Sequence, residues 1–194
     1  MGRIVVATNM TLDGVIQDPT GDEDFALGGW FEEMTDLARG AWAKLETEEA
    51  LAASAMLFGA RSYEWFASRW AGRDGVWGQR LEGLPKYVVS SRPITTSWGP
   101  AHTTGGGDPV VGVRSIKETT EGEILVYGSG ALLGTLFDNE LVDELRLFVF
   151  PTALGSGRRL FEELTAKQRL TLTRSESLDG GIQHLVYTVS PAAG

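Results

Sequence analysis

Short apolar runs bounded by glycine or charged residues alternate along this chain with segments whose apolar positions recur at helical spacing. That is the pattern of strands alternating with helices. Arg3–Ala7 (RIVVA) predicts a first strand, and the Gly/Asp/Pro-rich stretch Thr11–Gly29 a long loop. Trp30–Ala53 carries helical spacing through Phe31, Met34, Leu37, Ala38, Ala41 and Leu45, although Gly40 weakens its centre by ~1 kcal/mol relative to alanine. Ala55–Phe58 predicts a strand, Ser62–Trp70 a short helix, and Lys86–Ser90 (KYVVS) another strand after a Gly/Trp-rich connection. Thr95–Gly112 is turn-rich, and its Gly105-Gly106-Gly107 run marks the expected mobile segment. Ile124–Tyr127 predicts a strand, Ala131–Phe137 a helix, and Asp143–Phe150 a strand whose pairing ends at Pro151. Arg169–Ser177 and Ile182–Ser190 alternate apolar and polar residues around Leu178-Asp179-Gly180-Gly181, an antiparallel hairpin. The expectation is a three-layer α/β/α domain over residues 1–194, with a mixed, mostly parallel central sheet and a C-terminal antiparallel hairpin.

Two strand-to-helix junctions turn through glycine. Tyr127 leads into Gly128-Ser129-Gly130 and then Ala131-Leu132, while Phe58 leads into Gly59-Ala60-Arg61-Ser62. A glycine turn at a helix N-terminus presents free backbone N–H groups and the positive end of the helix dipole to one point, where a phosphate can approach closely. Arg61 adds a guanidinium that can fork onto phosphate oxygens, and Ser62 a hydroxyl that can cap the helix or donate to an oxyanion. Taken singly, the Gly128 junction also reads as an ordinary βα connection, and the Gly59 junction reads more simply as an N-cap serine beside a solvated arginine. Two in one domain suggest a ligand with several phosphates, such as a dinucleotide.

Composition narrows the alternatives. The chain has 194 residues, 42% of them hydrophobic, enough for one substantial core. A net charge of −9 without any Lys/Arg block argues against nucleic acid or an anionic membrane as partner. Cysteine is absent, which excludes disulfides, thiol catalysis and cysteine-ligated metals, and no metal site is expected. No stretch approaches the ~20 apolar residues of a membrane-spanning helix. The N-terminus carries no signal-peptide pattern, so the expected location is the cytoplasm.

Several motifs, in order, resemble the dihydrofolate-reductase-like superfamily, and most closely the reductase domain of the bifunctional riboflavin-biosynthesis deaminase/reductase. They are Thr11-Leu12-Asp13-Gly14, Phe58-Gly59-Ala60-Arg61-Ser62-Tyr63-Glu64, Val88-Val89-Ser90-Ser91-Arg92-Pro93, Val126-Tyr127-Gly128-Ser129-Gly130, Leu141-Val142-Asp143-Glu144-Leu145-Arg146, Pro151 and Gly155-Ser156-Gly157-Arg158. The zinc deaminase part is missing, since the chain has no cysteine and no His-x-Glu; the resemblance is to a stand-alone reductase domain. It implies an NADPH site. Gly59, Arg61 and Ser62 would meet the cofactor phosphates, and Ser90, Ser91 and Arg92 would hold the adenosine-side phosphate. Gly128, Ser129, Gly130, Ala131 and Leu132 would cradle the pyrophosphate.

The resemblance implies less about the hydride acceptor, a small heterocycle of the 5-amino-6-(5-phosphoribosylamino)uracil or pterin kind. Asp13 is a candidate proton donor, with an Asp-Gly turn as the alternative. Trp30 is a candidate to stack on a planar ring, with a core position as the alternative. Glu32, Glu33 and Asp36 lie near the acidic position of dihydrofolate reductases, and no local pattern chooses among them. Arg158 and Arg159 are candidates for a phosphorylated acceptor or are surface charge. Three classes remain open: an NADPH-dependent reductase, a catalytically silent NADP-binding module, and a ligand-free dimeric structural domain. A homodimer is expected from the resemblance and from an apolar strand, Leu141–Phe150, placed near a sheet edge.

Overall fold

A computed structural model describes residues 1–104, 107–128, 130–162 and 164–190. Eight strands form one sheet in the order β4-β3-β2-β5-β1-β6-β8-β7. They are β1 (Arg3–Thr11), β2 (Ala53–Gly59), β3 (Lys86–Val89), β4 (Ala101–Thr103), β5 (Glu123–Tyr127), β6 (Glu144–Phe150), β7 (Arg169–Ser177) and β8 (Gln183–Ser190). Pairing is parallel from β4 to β6 and antiparallel between β6, β8 and β7. Helices α1 (Asp36–Ala52), α2 (Ala60–Trp70), α3 (Val76–Gly83), α4 (Pro109–Thr119) and α5 (Gly130–Asp138) cover the two faces.

Alternation along the central strands builds the three layers. On β1, Ile4 and Val6 point into one core with Val113 and Ile116 of α4 and Leu133, Leu136 and Phe137 of α5. Val5 and Ala7 point into the opposite core with Ala50 of α1, Tyr63 of α2 and Leu81 of α3. A third cluster joins Trp30, Phe31, Ala38 and Leu45 to Phe148 and Phe150 of β6. The expected α/β/α architecture with a C-terminal hairpin is present.

Several boundaries differ from expectation, each for a local reason. β1 runs on to Thr11 because β6 stays beside it, pairing Thr11 with Phe150. Residues 30–34 turn instead of forming a helix; Thr35 caps α1, its Oγ1 accepting from the Ala38 N–H at 3.1 Å. α3, β4 and α4 escape the hydrophobic pattern. α3 contains two glycines and β4 is three residues long. α4 opens on an Asp108 cap and Pro109 immediately after the glycine run. Gly105 and Gly106 of the expected mobile segment lie outside the described residues. β6 is not near an edge: it lies between β1 and β8, and the edge on that side is β7.

Candidate active site

The carboxyl ends of β1, β2, β3 and β5 open into one cleft of about 1550 Å³. That exceeds the ~300–1,000 Å³ of an ordinary small-ligand pocket. Its position, outside the carboxyl ends of parallel strands, is where open α/β sheets bind ligands.

One end is built from the two glycine junctions. Gly128 has φ +64°, in the left-handed region, and an added Cβ there would stand 4.0 Å from Ser62 Oγ, so the two turns face each other. A Cβ on Gly130 would stand 3.3 Å from Arg158 Nε and 3.6 Å from Ile16 Cδ1. The Arg158 backbone is fixed beside α5 by Gln17, whose Oε1 accepts from the Arg158 N–H at 2.9 Å, and by the Ile16 N–H donating to the Arg158 carbonyl at 3.0 Å. Gly59, Arg61, Ser62, Gly128, Gly130, Ala131, Leu132 and Arg158 therefore line one region. Arg61 is exposed and has no carboxylate partner among the described residues. Ser129 lies outside the described residues. Two helix N-termini, two guanidinium groups and a hydroxyl around a space that side chains would fill suit a diphosphate.

Ser90, Ser91 and Arg92 follow β3 without lining the cleft. Ser90 Oγ donates to the Arg92 carbonyl at 2.6 Å and closes the turn. Arg92 reaches back to α2, donating to both Glu64 carboxylate oxygens at 2.7 and 2.9 Å.

The other end is aromatic and acidic. α1 turns Arg39, Trp42, Ala43, Glu46 and Thr47 into the cleft, one helical stripe. Facing it, Phe66 stacks on Tyr127 with centroids 5.8 Å apart, and Trp77 lies against Tyr127 at 6.2 Å and against Trp70 at 4.3 Å. Glu46 is only 5% exposed. Burial, reinforced by the neighbouring Glu49 carboxylate, raises its pKa well above the usual range and favours the protonated acid. The Tyr127 hydroxyl donates to the Glu46 carbonyl at 3.4 Å, and its own pKa is raised by burial and by Glu46 and Glu49. Trp77 Nε1 has no well-formed hydrogen bond among the described residues, and Asn9 Oδ1 accepts from Trp42 Nε1 at 3.1 Å. The site thus offers a buried carboxyl of raised pKa, a phenol and an indole N–H beside flat apolar walls.

The structure places the other sequence candidates elsewhere. Asp13 is outside the cleft. Its carboxylate accepts from Thr11 Oγ1 at 2.7 Å, the Gly155 N–H at 2.8 Å and the Leu154 N–H at 3.2 Å. These bonds lower its pKa to about 2, the opposite of what a proton donor needs. Trp30 is 1% exposed, edge-on to Phe150, with Nε1 donating to the Gln17 carbonyl. It is a core residue. Glu32 reaches the cleft rim, but Glu33 and Asp36 do not line it. Arg158 lies at the phosphate-like end, not the aromatic one. Glu46 is not among the sequence candidates: its stripe on α1 also carries Arg39 and Thr47, so nothing local marks it as buried.

A profile of the RibD C-terminal domain family matches residues 3–184. The chain belongs to that family. The uncharacterized protein YyaP of Bacillus subtilis (strain 168) is 23% identical, covering 95% of this chain and 94% of that protein. Among solved structures, a pyrimidine reductase-like protein from Corynebacterium diphtheriae matches with a TM-score of 0.66 at 14% identity, covering 97% of this chain and 92% of that one. Dihydrofolate reductase from Enterococcus faecalis, complexed with NADP(H), matches with a TM-score of 0.62 at 14% identity, covering 97% of each chain. The fold of this RibD C-terminal domain is accordingly dihydrofolate-reductase-like. Among the described residues no helix is long and apolar enough to cross a membrane.

Proposed function

We propose that this protein is an NADPH-dependent reductase of a small planar heterocycle, of the riboflavin-biosynthesis type. The observation that carries the reading is one cleft with two glycine-turn helix N-termini at one end and, at its aromatic end, the buried Glu46 carboxyl with its pKa raised by burial and by Glu49. Family membership and two reductase-named structural neighbours support it. Gly128, Gly130, Arg61, Ser62 and Arg158 would hold the cofactor diphosphate. Arg92, with Ser90 and Ser91, would take the adenosine-side phosphate by exchanging Glu64 for it, since an exposed ion pair is worth only ~0–1 kcal/mol. When bound, NADPH supplies the hydride. Glu46, whose raised pKa favours the protonated acid, would supply the proton at the acceptor end by general acid catalysis. Tyr127 and Trp77 orient the ring, and Phe66, Trp70 and Trp77 exclude water.

The test is loss of NADPH absorbance against a panel of pterins and aminopyrimidines. Turnover supports the reading, and NADPH binding without turnover of any acceptor leaves only a binding module. Arg92→Ala should weaken NADPH about tenfold or more while leaving NADH within about twofold, the mark of a lost charge-assisted phosphate contact. Equal losses would take Arg92 out of the site. The expected homodimer would form through the β7 edge, and sedimentation velocity reads it directly.

A further inference from the structure

Beneath the C-terminal half of α1 the sheet is charged, not apolar. Glu46 and Glu49 stand three residues apart on that helix, which puts both on one face, and both are buried. Glu46 lines the cleft, whereas Glu49 lies behind it. Glu49 Oε1 is 3.8 Å from His184 Nε2 of β8 and 3.9 Å from Arg146 Nη1 of β6. The buried His184 ring stacks on Phe148, with centroids 4.5 Å apart. Arg146 also donates to the Glu144 carboxylate at 2.6 Å and to both Glu123 oxygens at 3.1 Å, and Arg3 closes the cluster on Glu144 at 2.8 Å. Other charged groups packed on α1 are engaged elsewhere. Arg39 pairs with Glu32 at 3.0 Å, Arg80 of α3 donates to the Ala50 and Ala53 carbonyls, and Asp179 meets Thr35 at the far end of the helix. Lys44 and Glu48 are exposed.

Two buried carboxyls on one helix face do not readily ionise together, because each charge raises the cost of the other. One proton then belongs to the pair, and its place is set by which carboxyl has cations beside it. Arg146 and His184 stand by Glu49. Among the described residues, Glu46 has no Lys, Arg or His side chain within ion-pair distance. Neither Glu49 oxygen and neither His184 ring nitrogen makes a well-formed hydrogen bond among those residues, so what the two basic side chains offer Glu49 is charge. The direction of the Glu46 pKa, raised by burial and then by Glu49, agrees.

We propose that Glu49 is a positioning residue for the proton of the reaction: ionised beside Arg146 and His184, it leaves the single proton of the buried pair on Glu46, the member that faces the cleft. This rests on the reading of Glu46 as the acid of a reductase site and names the residues behind it that keep its proton in place.

The experiment is an infrared titration of the protein alone, in which a protonated carboxyl shows its own carbonyl stretch. Glu46→Gln should abolish the band that persists near neutral pH, because Glu49 stays ionised without it. Glu49→Gln should move the Glu46 titration to lower pH by about one unit or more, a tenfold weaker hold on the proton. Glu49→Met, apolar and of similar length, gives the same reading should the buried amide prevent folding. Glu49→Asp keeps the charge and should titrate close to the wild type, which a packing role would not produce. The alkaline limb of kcat against pH should move with the infrared midpoint while KM for NADPH stays within about twofold. A midpoint unmoved by loss of the Glu49 charge, a Glu49→Asp midpoint as low as that of Glu49→Gln, or a neutral-pH carboxyl band that survives Glu46→Gln overturns the proposal. Failure of the underlying reading looks different: the infrared shifts as expected with no turnover of any acceptor remove the reductase and keep the proton placement.

Discussion

Glu46 owes its chemistry to burial, to Glu49 one turn further along α1 and to Tyr127 at the end of β5. Buried beside Glu49 and under Tyr127, it holds its proton far more tightly than a glutamate in water. Because the fold raises the pKa, the folded protein binds more protons than the unfolded chain from the ordinary glutamate range upward. Stability is therefore full at low pH and declines as pH rises through that window toward the raised value. Glu46→Gln should remove the decline, so that Tm falls less between about pH 5 and pH 9 in the variant than in the wild type. The same variant should lower kcat by ~100-fold or more, the usual range for a lost general acid, with NADPH affinity held within about twofold. Asp13 has the opposite sign. Its pKa of about 2 means it stabilises the fold above the ordinary aspartate range and loses that contribution as pH falls toward 2. Asp13→Asn should keep turnover but lose this acid-range dependence in thermal unfolding; a collapse of kcat with unchanged stability would return Asp13 to the reaction. Residue type alone could not separate these two carboxyls. Asp13 stands in a turn dipeptide that draws the eye, whereas Glu46 becomes visible only once α1 is set against β5.

Among the elements, the strand-to-helix units β2–α2 and β5–α5 were readable because an apolar run, a glycine turn and a helical stripe follow without interruption. The two turns meet because β2 and β5 are neighbours in the sheet, which no local pattern states. α3 was not readable: VWGQRLEG has poor helix propensity and is held through buried Leu81 and the close fit of Gly78 on the Arg73 carbonyl. α4 did carry a start signal, Asp108-Pro109, hidden by the glycines before it. The wrong placement of β6 has a similar cause, since an apolar strand looks alike at an edge and inside a sheet, and only the β8 hairpin folding back covers it. At α5 the geometry gives a sharp expectation. Gly130→Val adds atoms where Arg158 Nε and Ile16 already stand, so NADPH affinity measured by calorimetry should fall by more than about tenfold while the fold survives. Unchanged affinity would move the diphosphate elsewhere.

At the scale of the molecule, the cleft is bounded by elements from both sides of the sheet: α1 and α2 on one, α5 on the other. A ligand spanning it ties those layers together, so NADPH at about 100 times its Kd should stabilise the protein by ~2.7 kcal/mol. For a chain of this size that corresponds to a rise in Tm of ~5–10 °C. A thermal shift with NADPH larger than with NADH is expected, and no shift with either would rule out the cofactor reading. The aromatic end has an optical consequence as well. Of the six tryptophans, Trp42, Trp65, Trp70 and Trp77 line the cleft. Indoles emit in the band that a reduced nicotinamide absorbs, whereas the oxidised ring is transparent there. Excitation of these four side chains would pass to a reduced ring held among them and reappear as its longer-wavelength glow, so the molecule would report the redox state of its own cofactor without any label.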